Sequence, residues 1–229
     1  LREICKNYKD AFLDYEKTHF MYASKALCTS AIVKILSQEK FGFDVVSGGE
    51  LYTAYKAGVD MKKVLFNGNN KTEEELKYAL ELGIGRFSVD NFHEAKLLNK
   101  LASEMGTVAN ILLRITPGIE CHTHDYIQTG QIDSKFGFDL SELDEIVSLI
   151  LMDYKNLNLL GLHAHIGSQI FELKSFQDEI RILVKLLNLI KEKHSIELKE
   201  LNLGGGLAVK YTNEDFPPSI KEIASTIID

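Results

Sequence analysis

The sequence predicts an α/β fold, a (β/α)8 barrel of the TIM type in which about seven of the eight strand–helix units are present. Three observations lead there. Short apolar runs of strand length alternate seven times with longer amphipathic segments. Those runs are apolar enough to be covered on both faces, which marks a parallel sheet. Polar and otherwise unusual residues recur at the C-terminal ends of the runs, where barrels of this type build their active sites. A doubly wound sheet would fit the alternation too, but the unit count and the placement of the polar residues favour the barrel.

Taken in order, Leu1, Ile4, Cys5, Tyr8 and Phe12 fall at helical spacing. The strand-like runs then span residues 20–26, 43–47, 64–68, 86–90, 111–117, 157–168 and 198–206, and most end in Gly, Ser, Asn or Pro. Thr72-Glu73-Glu74-Glu75 has the form of a capping box, with Leu76, Ala79 and Leu80 following at helical spacing. Ser141-Glu142-Leu143-Asp144 is a similar start, followed by Ile146, Val147 and Ile150. Phe176, Ile180, Leu183, Val184, Leu187 and Ile190 predict the buried stripe of a long helix, an ordinary core feature. No linker, low-complexity tract or clear repeat interrupts residues 1–229, which are expected to form one barrel domain.

At 229 residues the chain is long enough to build its own core without disulfides or metal. A net charge of −7 argues against a general nucleic-acid binder, because there is no basic excess to displace counterions from phosphates. Cys5, Cys28 and Cys121 lie far apart in no C-x-x-C pattern, which points to a reducing, cytoplasmic compartment. No apolar run reaches the roughly 18 residues of a membrane helix, and no signal peptide is visible. The chain begins at Leu1 within a helical pattern and stops near another, so a piece of a longer protein is expected.

The candidate site residues follow the strand ends. Lys25, in Tyr22-Ala23-Ser24-Lys25-Ala26, is expected in the first strand on the same face as Ala23. A lysine desolvated there, among small neighbours, would suit Schiff-base chemistry; the alternative is a strand-end lysine reaching to solvent. Gly204, Gly205 and Gly206 close the seventh run, where amides can approach an anion, or where the chain simply turns. His163 and His165 are i, i+2 at the end of the sixth run, with Ser168 just beyond. With His122 and His124 they invite a metal site, yet no carboxylate or cysteine sits at ligand spacing, and none is expected. Ring stacking or proton handling explains the histidines as well. Asp44 and Glu50 flank the exit of the second run, although Glu50 also fits an ordinary first-turn helix glutamate. Arg114, in an otherwise apolar run, needs an anionic partner, either at a ligand site or in a structural ion pair.

Together these segments resemble the fold-type III pyridoxal-phosphate decarboxylases, with their alanine racemase-like barrel, and within them the diaminopimelate decarboxylase family. The resemblance is carried by the segments around Lys25, Asp44–Glu50, 68–72, 113–118, 163–169 and 203–206, and runs through essentially the whole chain. The loop from His122 to Gly130, with Asp133–Gly137, is more similar to the diaminopimelate enzymes than to the ornithine or arginine enzymes. The resemblance implies pyridoxal 5'-phosphate carried by Lys25, His165 stacked on the ring, and Ser168 with the Gly204–Gly206 amides on the phosphate. It places Arg114, Asp44 and Glu50 in the polar network around ring and lysine. It implies decarboxylation of meso-2,6-diaminopimelate to L-lysine, the last step of lysine biosynthesis, by a homodimer. A related decarboxylase of another amino acid or polyamine precursor, or a non-catalytic pyridoxal-phosphate-binding barrel, are the alternatives.

Three departures bear on that expectation. Leu27 stands where the family usually has Asn after the Lys-Ala pair. The Glu-Pro-Gly-Arg segment of an eighth strand is absent, as is a C-terminal β-domain that completes the partner subunit's site. The isolated chain is therefore expected to be catalytically poor.

Overall fold

A computed structural model describes residues 1–15, 17–119 and 135–228. Seven parallel strands form one sheet in the order β1-β2-β3-β4-β5-β6-β7. They are β1 (Met21–Ala23), β2 (Gly42–Val45), β3 (Val64–Phe66), β4 (Arg86–Val89), β5 (Ala109–Arg114), β6 (Leu157–His163) and β7 (Glu200–Asn202). Every strand pairs with its sequence neighbour, so among the described residues no point of order reversal exists, and the doubly wound alternative is excluded. The result is a curled α/β half-barrel. The helices are α1 (Arg2–Ala11), α2 (Ser30–Gln38), α3 (Gly48–Lys56), α4 (Glu73–Leu82), α5 (Phe92–Glu104), α6 (Leu143–Met152), α7 (Leu173–His194) and α8 (Ile220–Ile228).

Short polar caps set where each early helix begins. Thr29, Ser47, Thr72 and Asn91 accept a backbone N–H of the first turns of α2, α3, α4 and α5. Thr72 and Glu75 form the expected capping box, and Glu75 Oε1 also accepts the Gly48 N–H at 2.6 Å. One carboxylate thus joins the starts of α3 and α4.

The core lies between the outer face of the sheet and the helices. Phe43, Val45, Phe66, Phe87, Val89, Ile111 and Leu113 pack there with Leu51, Leu76, Leu98, Ile146 and Leu183. Alternation turns the intervening residues inward, and that concave face is largely polar. Arg86 of β4 and Glu200 of β7 form a bidentate ion pair across it, and Asn158 Nδ2 donates to Asn110 Oδ1 at 2.8 Å. Leu65 and Leu112 are buried apart from the outer core.

Several expectations are corrected. β1 ends at Ala23 and the chain enters a single 3-10 turn, Ser24–Ala26, so Lys25 does not share a strand face with Ala23. The runs 157–168 and 198–206 are strand only to His163 and over Glu200–Asn202. Beyond those points Gly167, Gly204 and Gly206 adopt positive φ, which turns the chain off the sheet. Helix α6 starts at Leu143 with no side-chain cap, so Ser141 does not open a capping box. The buried face of α7 is rotated from the predicted stripe: Val184 is exposed, while Glu179 and Leu186 are buried.

Candidate active site

A buried ion pair anchors the C-terminal ends of β3 and β4. The Lys71 ammonium donates to Glu94 Oε1 at 2.7 Å, to the Gly68 carbonyl at 2.6 Å and to the Ser88 carbonyl at 2.9 Å. All three of its donors are used. Glu94 Oε2 accepts the Asp90 N–H at 3.2 Å. Burial pushes the Glu94 carboxyl up while Lys71 pulls it down. Lys71 belongs to a segment that carried the resemblance, but neither residue stood out as a site; the interruption of apolar spacing by paired charges is the signal that could have found them.

Above this pair sits Arg114, the last residue of β5. It is buried, 3.6 Å from Asp90 Oδ1, with its guanidinium carbon 4.3 Å from the centroid of the Phe136 ring. Burial lowers its affinity for a proton, opposed by Asp90 and then Asp44. The anionic partner expected for Arg114 is therefore Asp90, with Asp44 close enough to act on it. His163, which pairs in register with Arg114, is buried and joined through Nδ1 to Ser88 Oγ at 2.7 Å.

Asp44 lies in β2, where Asn67 Nδ2 donates to its Oδ2 at 3.1 Å. Its Oδ1 is buried and has no hydrogen-bond partner among the described residues. Desolvation raises its carboxyl to about 6, against the pull of Asn67, Lys25 and Arg114. Glu50 occupies the first turn of α3 and accepts the Val46 N–H at 2.8 Å, so the helix-glutamate option describes its contacts. Lys25 is exposed, and the desolvation expected of it is corrected. The 3-10 turn lifts it off the strand, and the Tyr22 hydroxyl donates to the Leu27 carbonyl at 3.1 Å across that turn.

His165 stands in the loop after β6, half-buried, where desolvation and then Lys25 and Arg114 lower its ring to about 4. The Gly205 N–H points at its Nδ1 at 3.4 Å. The glycine loop leaves no room for side chains at two points. A Cβ on Gly204 would lie 2.6 Å from the Ala164 carbonyl oxygen, and one on Gly206 would lie 2.1 Å from that of Gly167. At Gly205 a Cβ would meet nothing within 4 Å. Ser168 is half-buried beside this loop in sequence. His122, His124 and most of the segment from 122 to 137 lie outside the described residues.

Five strand ends thus bring a lysine, a buried carboxyl, an arginine, a neutral histidine and a glycine cradle to one mouth. Comparison with known proteins identifies the family. The chain matches the pyridoxal binding domain of the pyridoxal-dependent decarboxylases over residues 1–229, and it belongs to that family.

Among its relatives, the diaminopimelate decarboxylase of Bacillus subtilis (strain 168) is 45% identical over 232 residues, covering 100% of this chain and 53% of the relative. That of Bacillus methanolicus is 46% identical, covering 100% and 54%. The crystal structure of diaminopimelate decarboxylase from M. jannaschii in complex with L-lysine is similar with a TM-score of 0.90 and 37% identity, covering 99% of this chain and 54% of that one. The chain spans about half the length of these relatives.

The residues present fit pyridoxal phosphate. The orphaned Asp44 Oδ1 offers a buried acceptor, and the open Gly205 face of the cradle offers backbone to a phosphate.

Proposed function

We propose that residues 1–229 form the cofactor-binding barrel domain of an enzyme that decarboxylates meso-2,6-diaminopimelate to L-lysine and CO2. The observation that supports this is the meeting of strand ends: Lys25, Asp44, Arg114 and His165 lie in or just after β1, β2, β5 and β6 of one parallel sheet, and Lys25 and Arg114 both act on Asp44 and on His165. Relatives named diaminopimelate decarboxylase at 45% identity support the choice of substrate.

Pyridoxal phosphate supplies an aldehyde that captures amines and a ring that withdraws electrons from the bond losing CO2. The chain's own residues would do the rest. Lys25, exposed at the mouth, would hold the cofactor through its ε-amine. His165, kept neutral by burial and then by Lys25 and Arg114, would pack on the cofactor without adding charge. The Gly204–Gly206 amides and Ser168 would hold the phosphate. Asp44 and Arg114 would set the charge around the cofactor, and Glu50 keeps the β2–α3 exit in shape while its charge reaches Asp44. Action as a cytoplasmic homodimer belongs to the same proposal.

The test is turnover by the complete gene product, comparing meso-diaminopimelate with ornithine and carboxynorspermidine while following lysine and CO2. Preference for ornithine would sink the substrate assignment. Borohydride fixation of the cofactor should label the peptide containing Lys25, and a label elsewhere would sink the lysine assignment.

A further inference from the structure

Between the Lys71 ion pair and the mouth lies a pair of residues to which the proposed function gives no duty. Ser88 is in β4 and His163 closes β6, so β5 runs between them. Side chains two strands apart can meet only on the concave face of a curled sheet. Ser88 is in register with Leu112 and His163 with Arg114, so their 2.7 Å hydrogen bond crosses the inside of β5 beside Arg114. Ser88 is held at its other end, because its carbonyl accepts from Lys71 Nζ at 2.9 Å.

The charges acting on His163 are Arg114, His165, Lys71 and Lys25, all cationic groups or a potential one. Burial is the larger influence, and a protonated ring would also be repelled by each of these groups, so His163 stays neutral. His163 and Arg114 are in-register neighbours on adjacent strands, so their side chains share one face of the sheet. Among the described residues the ion-pair contact of Arg114 is the 3.6 Å approach to Asp90, longer than a hydrogen bond, and its other close contact is the Phe136 ring. Neither fixes a guanidinium as a bidentate carboxylate would.

We propose that His163, clamped by Ser88, is a positioning residue that holds Arg114 in the orientation from which it acts on Asp44. This rests on the cofactor site proposed above. Lys25, Arg114 and Glu50 act on Asp44, which accepts from Asn67, so its ionisation then answers to two residues with which it shares no hydrogen bond.

The experiment uses the complete gene product loaded with pyridoxal phosphate, following the visible absorbance of the bound cofactor across the acid range. Asp44→Asn identifies the limb that reports Asp44. Ser88→Ala and His163→Phe are expected to move that midpoint up by about one pH unit, because a carboxylate that loses a nearby cation binds its proton more tightly. His163→Asn, which keeps a neutral polar group facing Ser88, should restore the parental midpoint with unchanged cofactor stoichiometry. Should His163→Phe fail to fold, Ser88→Ala carries the test. Midpoints that all coincide with the parent's overturn the inference and leave the cofactor site standing. A parent that takes up no pyridoxal phosphate overturns both.

Discussion

Lys71 has no freedom left: its three donors end on Glu94, Gly68 and Ser88, and its side chain is 1% exposed. Lys71→Met should cost about 3–5 kcal/mol in urea unfolding, because it strands a buried carboxylate. Glu179 is the opposite case. Both its oxygens are buried on α7 with no hydrogen-bond partner among the described residues, and desolvation pushes its carboxyl up to about 8. In the unfolded chain it titrates near the ordinary glutamate value, so between that value and about 8 the folded state binds more protons. Stability attributable to Glu179 is therefore present at low pH and lost as pH rises, by about 1.4 kcal/mol per unit across the window. Glu179→Gln should flatten that slope in unfolding measurements at several pH values; an unchanged slope would refute it. At this scale the sequence was legible where chemistry is local. Arg114 in an apolar run announced its need for an anion. Lys25 was legible only as two alternatives, a desolvated strand lysine or one reaching to solvent, because a strand and a 3-10 turn are indistinguishable over five residues.

The loops at the strand ends show which glycines matter. Gly205→Ala should keep the parental fold, since its Cβ meets no protein atom within 4 Å, whereas Gly206→Ala must displace the Gly167 carbonyl and fit φ +102°. Urea unfolding of the two should separate by about 1–3 kcal/mol in favour of Gly205→Ala. The α4 cap separates similarly. Thr72→Ala should cost about 1 kcal/mol, and Glu75→Ala more, because it also frees the Gly48 N–H of α3. Thr72 and Glu75 were readable as a capping box from spacing alone. The false box at Ser141 looked the same on paper, but there Glu142 takes the cap position and accepts the Asp139 N–H at 2.8 Å. The rotated face of α7 was hidden for a different reason: apolar periodicity cannot count a buried Glu179 as core.

Across the whole molecule, alternation of apolar runs and amphipathic segments was enough to predict a parallel α/β sheet, because each strand packs its outer residues under helices. The inner face was harder to read. Arg86 and Glu200 are 114 residues apart, and only the curl of the sheet brings them together. The 1–229 chain, tested alone against the complete gene product, should show no measurable lysine production, as it spans about half of its relatives. The shared carboxylate of α3 and α4 has a further consequence. Glu75 accepts from the Thr72 N–H and from the Gly48 N–H, so the helices that follow β2 and β3 are pinned at one point. A shift of either helix start pulls on the other, and the exits of two neighbouring strands keep their spacing as one rigid unit.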